Sequence, residues 1–207
     1  MTNAPGISDF VVTIAGEGTE YRLCLPNLLP EAVDQPAMLS AAQTALAQHT
    51  VSESAEALRA QSMAAFMLLC AGEPDEAESV LRRVIAAQDG KGDAAARTGS
   101  ELRLVQVLQR QGRVNEAVRL ATEVLARQSQ DSPRQHFALH HLGKALMQAG
   151  ANGEARVNLS RALDMRLTLG NAQLIASTRQ ALALLHQSSP PTTLPLLGAD
   201  PQGSSPM

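Results

Sequence analysis

Three glycines set the terms for this chain. Gly72, Gly112 and Gly150 each follow a run rich in leucine and alanine and each precede another such run. The first spacing is 40 residues and the second is 38. Around each glycine the same offsets recur. A leucine lies four residues before it (Leu68, Leu108, Leu146), and a Glu-Ala pair lies four and five residues after it (Glu76-Ala77, Glu116-Ala117, Glu154-Ala155). Self-similarity at a fixed period of this length marks a stacked architecture, in which each unit buries its apolar face only against its neighbours.

The units read as pairs of helices. Apolar residues before the glycines keep helical spacing, as in Ala64 and Leu68, Leu104 and Leu108, Leu142 and Leu146. The stretches after them do the same at Ala77, Leu81 and Val84, at Ala117, Ala121 and Val124, and at Ala155, Leu159 and Ala162. Glycine suits the left-handed backbone that ends a helix. An alanine early in each second helix lets the leucine ridge of the first approach closely. Capping signals are expected at Thr50 with Glu53, at Thr98 with Glu101, and at Ser132-Pro133. Residues 36–49 read as a preceding half-repeat and 171–187 as a closing helix.

The two ends have a different grammar. Residues 1–34 contain "FVVTIAGEGTEYRLCLP", two β-branched and apolar runs flanking Gly16-Glu17-Gly18, which predicts a β-hairpin. A lone hairpin is marginal in water, so it is expected to pack on the helices or pair with a partner's strand. Residues 188–207 hold five of the eleven prolines and read as a disordered Pro/Ser-rich tail.

The repeats resemble the tetratricopeptide repeat (TPR) family. Leu142, Gly143, Leu146, Gly150, Ala155, Leu159 and Ala162 fall on successive positions of that family's signature. The second unit matches at Leu104, Leu108, Gly112 and Ala117, and the first at Ala64, Ala65, Leu68, Gly72, Ala77 and Leu81. The family's aromatic residues and closing proline are missing, and the pitch exceeds its 34 residues, which looks like an extended-helix bacterial variant. The implied fold is all-α, a TPR-like α-solenoid of antiparallel helix pairs with a short N-terminal β-hairpin. Its helical domain spans 35–187, with about three repeats plus capping helices. The resemblance also implies a concave groove lined by the first helix of each pair. The expected partner-binding residues are Arg59, Phe66, Leu102, Gln106, Gln109, Arg110, Phe137, His140, Lys144 and Met147, with Ser62, Leu69, Ser177, Gln180 and Leu184 beside them. The lysine and asparagine clamp with which some members hold acidic chaperone tails has no counterpart here.

Several function classes are disfavoured. Net charge is −3, with scattered Lys and Arg, so no nucleic-acid footprint appears. Phe10, Tyr21, Phe66 and Phe137 are too few for a base-stacking platform. Cys24 and Cys70 sit in apolar runs and read as small hydrophobes. No secretory signal or membrane-length apolar run is evident, so a cytoplasmic location is expected. "GKGD" at 90–93 reads as a linker turn, not a phosphate loop. "EPDEAE" at 73–78 reads as a helix N-terminus, where carboxylates meet the positive end of the dipole.

"HFALHH" at 136–141 raises a metal alternative, because His136 and His140 share a helix face. A third ligand would be needed, and Asp131 and His141 are the candidates nearest in sequence. His141 lies about 100° around the helix from His140, and no glutamate stands between the histidines to act as base. The expected function is therefore a non-enzymatic protein–protein interaction module, with no cofactor. It would bind a peptide or helix of a protein partner rather than nucleic acid or membrane, and self-association is possible. A regulatory subunit or chaperone-like protein for a client is the alternative, and a metal enzyme or sensor a distant one.

Overall fold

The computed structural model describes residues 11–49, 52–129 and 132–187. A small antiparallel sheet comes first, with strands β1 (Val11–Thr13), β2 (Glu20–Cys24) and β3 (Leu29–Ala32) in that spatial order. Eight helices follow among the described residues: α1 (Gln35–His49), α2 (Ala55–Cys70), α3 (Pro74–Gly90), α4 (Ala94–Arg110), α5 (Val114–Ala126), α6 (Gln135–Gln148), α7 (Asn152–Leu169) and α8 (Ala172–Gln187). The three glycine-marked pairs are α2/α3, α4/α5 and α6/α7. Gly72, Gly112 and Gly150 take φ of 91°, 75° and 79°. That backbone is left-handed, the conformation a Cβ penalises.

Each helix packs on the next in sequence, and α2, α4, α6 and α8 also touch across the pairs. Those four form an inner layer, with α3, α5 and α7 outside it. The alanines anticipated at the crossings, Ala77, Ala117 and Ala155, are fully buried, as are Leu81, Leu159 and Ala162. Helices α6 and α7 approach closely at Gly143. A Cβ added to Gly143 would lie 2.6 Å from Leu159 Cγ and 3.3 Å from the Ala155 carbonyl oxygen. Of "GKGD", Gly90 ends α3, Lys91 and Gly92 form the turn and Asp93 caps α4, and Asp75 and Glu76 occupy the first turn of α3.

The caps differ from the sequence reading. Helix α2 is capped by Ser54, whose hydroxyl accepts from Ala57 N at 3.1 Å. Thr50 lies outside the described residues. Asp93 caps α4 through Ala96 N, which puts Thr98 and Glu101 inside the helix. Glu101 is buried there and pairs with Arg97 at 3.0 Å and with Arg127. Asp93 stands at the true start of α4 and takes the capping role expected of Thr98. Ser132 and Pro133 form a turn just before α6.

The N-terminal hairpin is present and larger than expected. β1 and β2 turn at Gly16 and Gly18, and β2 continues into a third strand, β3, with Leu23 opposite Pro30. The connection Leu25–Leu28 places Leu28, at φ 51°, in the core with no exposure. The 188–207 tail lies outside the described residues. No described helix is long and apolar enough to cross a membrane.

Candidate functional site

The sheet does not stand apart from the helices. It lies across the C-terminal halves of the inner helices. Tyr21 meets Phe66 of α2 edge to face, with ring centroids 5.3 Å apart. Arg110 at the end of α4 donates to Glu31 Oε1 at 3.0 Å and to the Pro30 carbonyl at 2.6 Å. Lys144 of α6 donates to the Leu28 carbonyl. Part of the inner surface is therefore covered by the chain's own strands.

What remains is a cleft of about 960 Å³ between the sheet and helices α2, α4, α6 and α8. Leu23, Leu25, Phe66, Phe137, Leu174 and Leu184 are among its apolar lining residues; Gln106, His140, His141, Lys144, Arg166 and Gln180 are among its polar ones. No aspartate or glutamate lines it among the described residues.

Sequence reasoning and structure can be compared residue by residue. Phe66, Gln106, Phe137, His140 and Lys144 come together in the cleft, joined by Ser177, Gln180 and Leu184. The others do not line it. Leu102 is buried with Val124 and Ala138 between helices. Gln109 is buried and bonded to Gln148 at 3.0 Å, and Leu69 is core. Arg110 holds β3. Met147 packs against the core from its edge. Arg59 pairs with Asp93 at 3.2 Å, and Ser62 shares a 2.8 Å hydrogen bond with Ser100. These last two line a separate, smaller hollow of about 480 Å³ between α2 and α4.

Arg166 is the residue that sequence reasoning passed over. It comes from α7, an outer helix, and is 1% exposed. Its Nε donates to His136 Nδ1 at 3.2 Å, and its Nη1 donates to the Leu174 carbonyl, Ser177 Oγ and Thr178 Oγ1. Thr178 Oγ1 is also 3.3 Å from His140 Nδ1. The guanidinium carbon sits 5.7 Å from the centre of the Phe137 ring. A signal was available: Ala155, Leu159, Ala162 and Arg166 continue one helical stripe, so a charge there had to be buried.

Burial pushes the imidazoles of His136, His140 and His141 down, and the nearby cations push them further; His136 falls to about 4. All three are neutral at pH 7. Burial likewise lowers Lys144 from 10.5 to about 7, helped by Arg166 and Arg110. Burial also drives the Cys70 thiol up to about 12, while Cys24 is half-buried; both are free thiols. His136 and His140 are bonded to Arg166 and Thr178, and a guanidinium beside two imidazoles repels a metal cation. No group of three or more His, Cys, Asp or Glu suited to a metal occurs among the described residues. Asp131 lies outside them.

The architecture just described is a TPR-like helical repeat. Solved structures that share it include the Podosopora anserina putative kinesin light chain nearly identical TPR-like repeats and a substituted form of the same protein. Each is 24% identical to this chain, covering 74% of it and 77% of the other, with TM-scores of 0.54 and 0.55. No protein-family model matches the chain, and no curated protein matches it significantly.

Proposed function

We propose that this chain is a non-enzymatic interaction module that receives a segment of a partner protein in the cleft between its inner helices and its N-terminal sheet. One observation carries the reading. Phe66, Phe137 and Leu184 offer apolar anchors beside Gln106, His140 and Lys144 in one open hollow. Buried aromatic anchors ringed by polar groups are what a peptide or amphipathic helix needs. The shared helical-repeat fold supports it, since stacked helix pairs present extended binding surfaces. Because the sheet covers part of the inner layer, the contact set narrows from the whole row of first helices to Phe66, Gln106, Phe137, His140 and Lys144, together with the α8 face at Ser177, Gln180 and Leu184.

The test uses a photo-crosslinking amino acid at Gln180, on the cleft, and at Val157, on the exposed surface of α7. A protein captured from position 180 and not from 157 is then purified. Its affinity should fall about tenfold or more with Phe137→Ala, the loss expected of an aromatic anchor. Equal capture at both positions, or an unchanged affinity, would count against the cleft.

A further inference from the structure

The cleft holds two basic groups without counter-ions, an arginine charged at pH 7 and a lysine that titrates near it. Lys144 is 2% exposed and Arg166 is 1% exposed. Neither forms an ion pair among the described residues, and no carboxylate lines the cleft beside them. Other sheltered charges are paired, as where Glu101 takes both Arg97 and Arg127 and Arg110 takes Glu31, whereas Arg103 donates to the Ser62 hydroxyl. A buried charge left without a partner is costly, and folding has already stripped its water. An incoming anion therefore gains the attraction without stripping these groups again.

The polar atoms left over can be counted. Lys144 spends one N–H on the Leu28 carbonyl and keeps two. Arg166 spends Nε and Nη1, and its Nη2 bonds to no described residue. The Nδ1 atom of His141 is buried without a hydrogen-bond partner. The guanidinium, and the lysine amine once it takes a proton, suit the two oxygens of one carboxylate. Above them the walls are Phe66, Phe137, Leu174 and Leu184, under a roof of Tyr21 and Leu25. About 960 Å³ of mostly apolar space with a few convergent polar groups matches the scale of small-molecule sites.

We infer that the cleft is a binding site for a small organic acid, its carboxylate on Lys144 and Arg166 and its apolar body along the Phe66 and Phe137 walls. This goes beyond the partner reading. An acid seated there would compete with a partner segment for the same walls.

The experiment is calorimetry and thermal denaturation of the full chain with octanoate and 3-phenylpropionate, each against its primary amide. Binding should be saturable, with the acids preferred at least about tenfold. Lys144→Met should bring the acids to the level of the amides, and Lys144→Arg should restore the preference. Nuclear Overhauser contacts from bound octanoate to the Phe137 ring in the wild-type chain should place the ligand even if Lys144→Met does not fold. Equal binding of acids and amides, a preference that survives Lys144→Met, or an absence of Phe137 contacts would each overturn the inference. If the peptide acetyl-Leu-Leu-Asp-Leu-amide binds at the cleft and neither free acid does, the inference falls while the partner reading stands.

Discussion

Lys144 Nζ donates to the backbone carbonyl of Leu28, which lies 116 residues earlier in the chain. That one hydrogen bond joins the third helix pair to the connection between β2 and β3. It makes the N-terminal sheet a wall of the cleft, and it uses a lysine that is 2% exposed to do so.

The same lysine sets a pH dependence. Burial, with Arg166 and Arg110 nearby, lowers it from 10.5 to about 7. Between those values the unfolded chain holds a proton that the folded chain lacks, so stability rises with pH across that window. Urea denaturation at about pH 6.5 and about pH 9.5 should show a gain on the order of 1–3 kcal/mol in the wild type. Lys144→Met should lose that gain. A gain of the same size in the variant would assign it to another group.

Acid should act through the histidines first. His136 is lowered to about 4, and His140 and His141 are held well below 6.5. Their contribution is complete above the unfolded value of 6.5 and declines as pH falls toward the folded values. Glu78 acts later: burial raises its carboxyl, but hydrogen bonds from Gln111, Arg82 and Arg113 outweigh that and hold it at about 2. The loss between about pH 6.5 and pH 4.5 therefore belongs to the imidazoles. His136→Gln, which keeps an acceptor for Arg166, should reduce the proton uptake on unfolding by about one in that window, as read from the slope of stability against pH.

Two glycines with opposite surroundings give a paired test of packing. Gly143→Ala forces a Cβ into Leu159 and should cost about 1–3 kcal/mol. Gly153→Ala, in the first turn of α7, meets nothing within 4 Å and should stabilise by about 0.4–1 kcal/mol. Guanidinium denaturation of both reads the difference.

Leu28 tests whether the sheet belongs to the same cooperative unit as the helices. It has no exposure and joins the main core cluster. Leu28→Ala should cost about 2–5 kcal/mol in a single unfolding transition. A separate early transition, with the helical transition unmoved, would show the sheet to be an independent appendage.

Much of the fold was legible because its signals are local. The glycine period, the Glu-Ala offsets and the buried alanines at 77, 117 and 155 follow from helix geometry and from the need of neighbouring helices to approach closely. β3 was not legible. Pro30 argues against a strand, and it is tolerated here because β3 is an edge strand that pairs only with β2. The cap expected at Thr98 failed for the converse reason, since Asp93 stood five positions earlier.

The site divides along the same line. The repeat resemblance put Phe137 and His140 on the groove side of α6, and both line the cleft, His140 with only 6% exposure. Periodicity could not reveal that the chain's own sheet covers the ends of the inner helices. Nor could it show that the sheet ties down Arg110, or that an arginine from an outer helix reaches through to His136. Helical repeats are written in contacts a few residues long, which the amino-acid order specifies directly. The cleft is made by contacts 30 to 116 residues apart, and those depend on how finished elements dock in space.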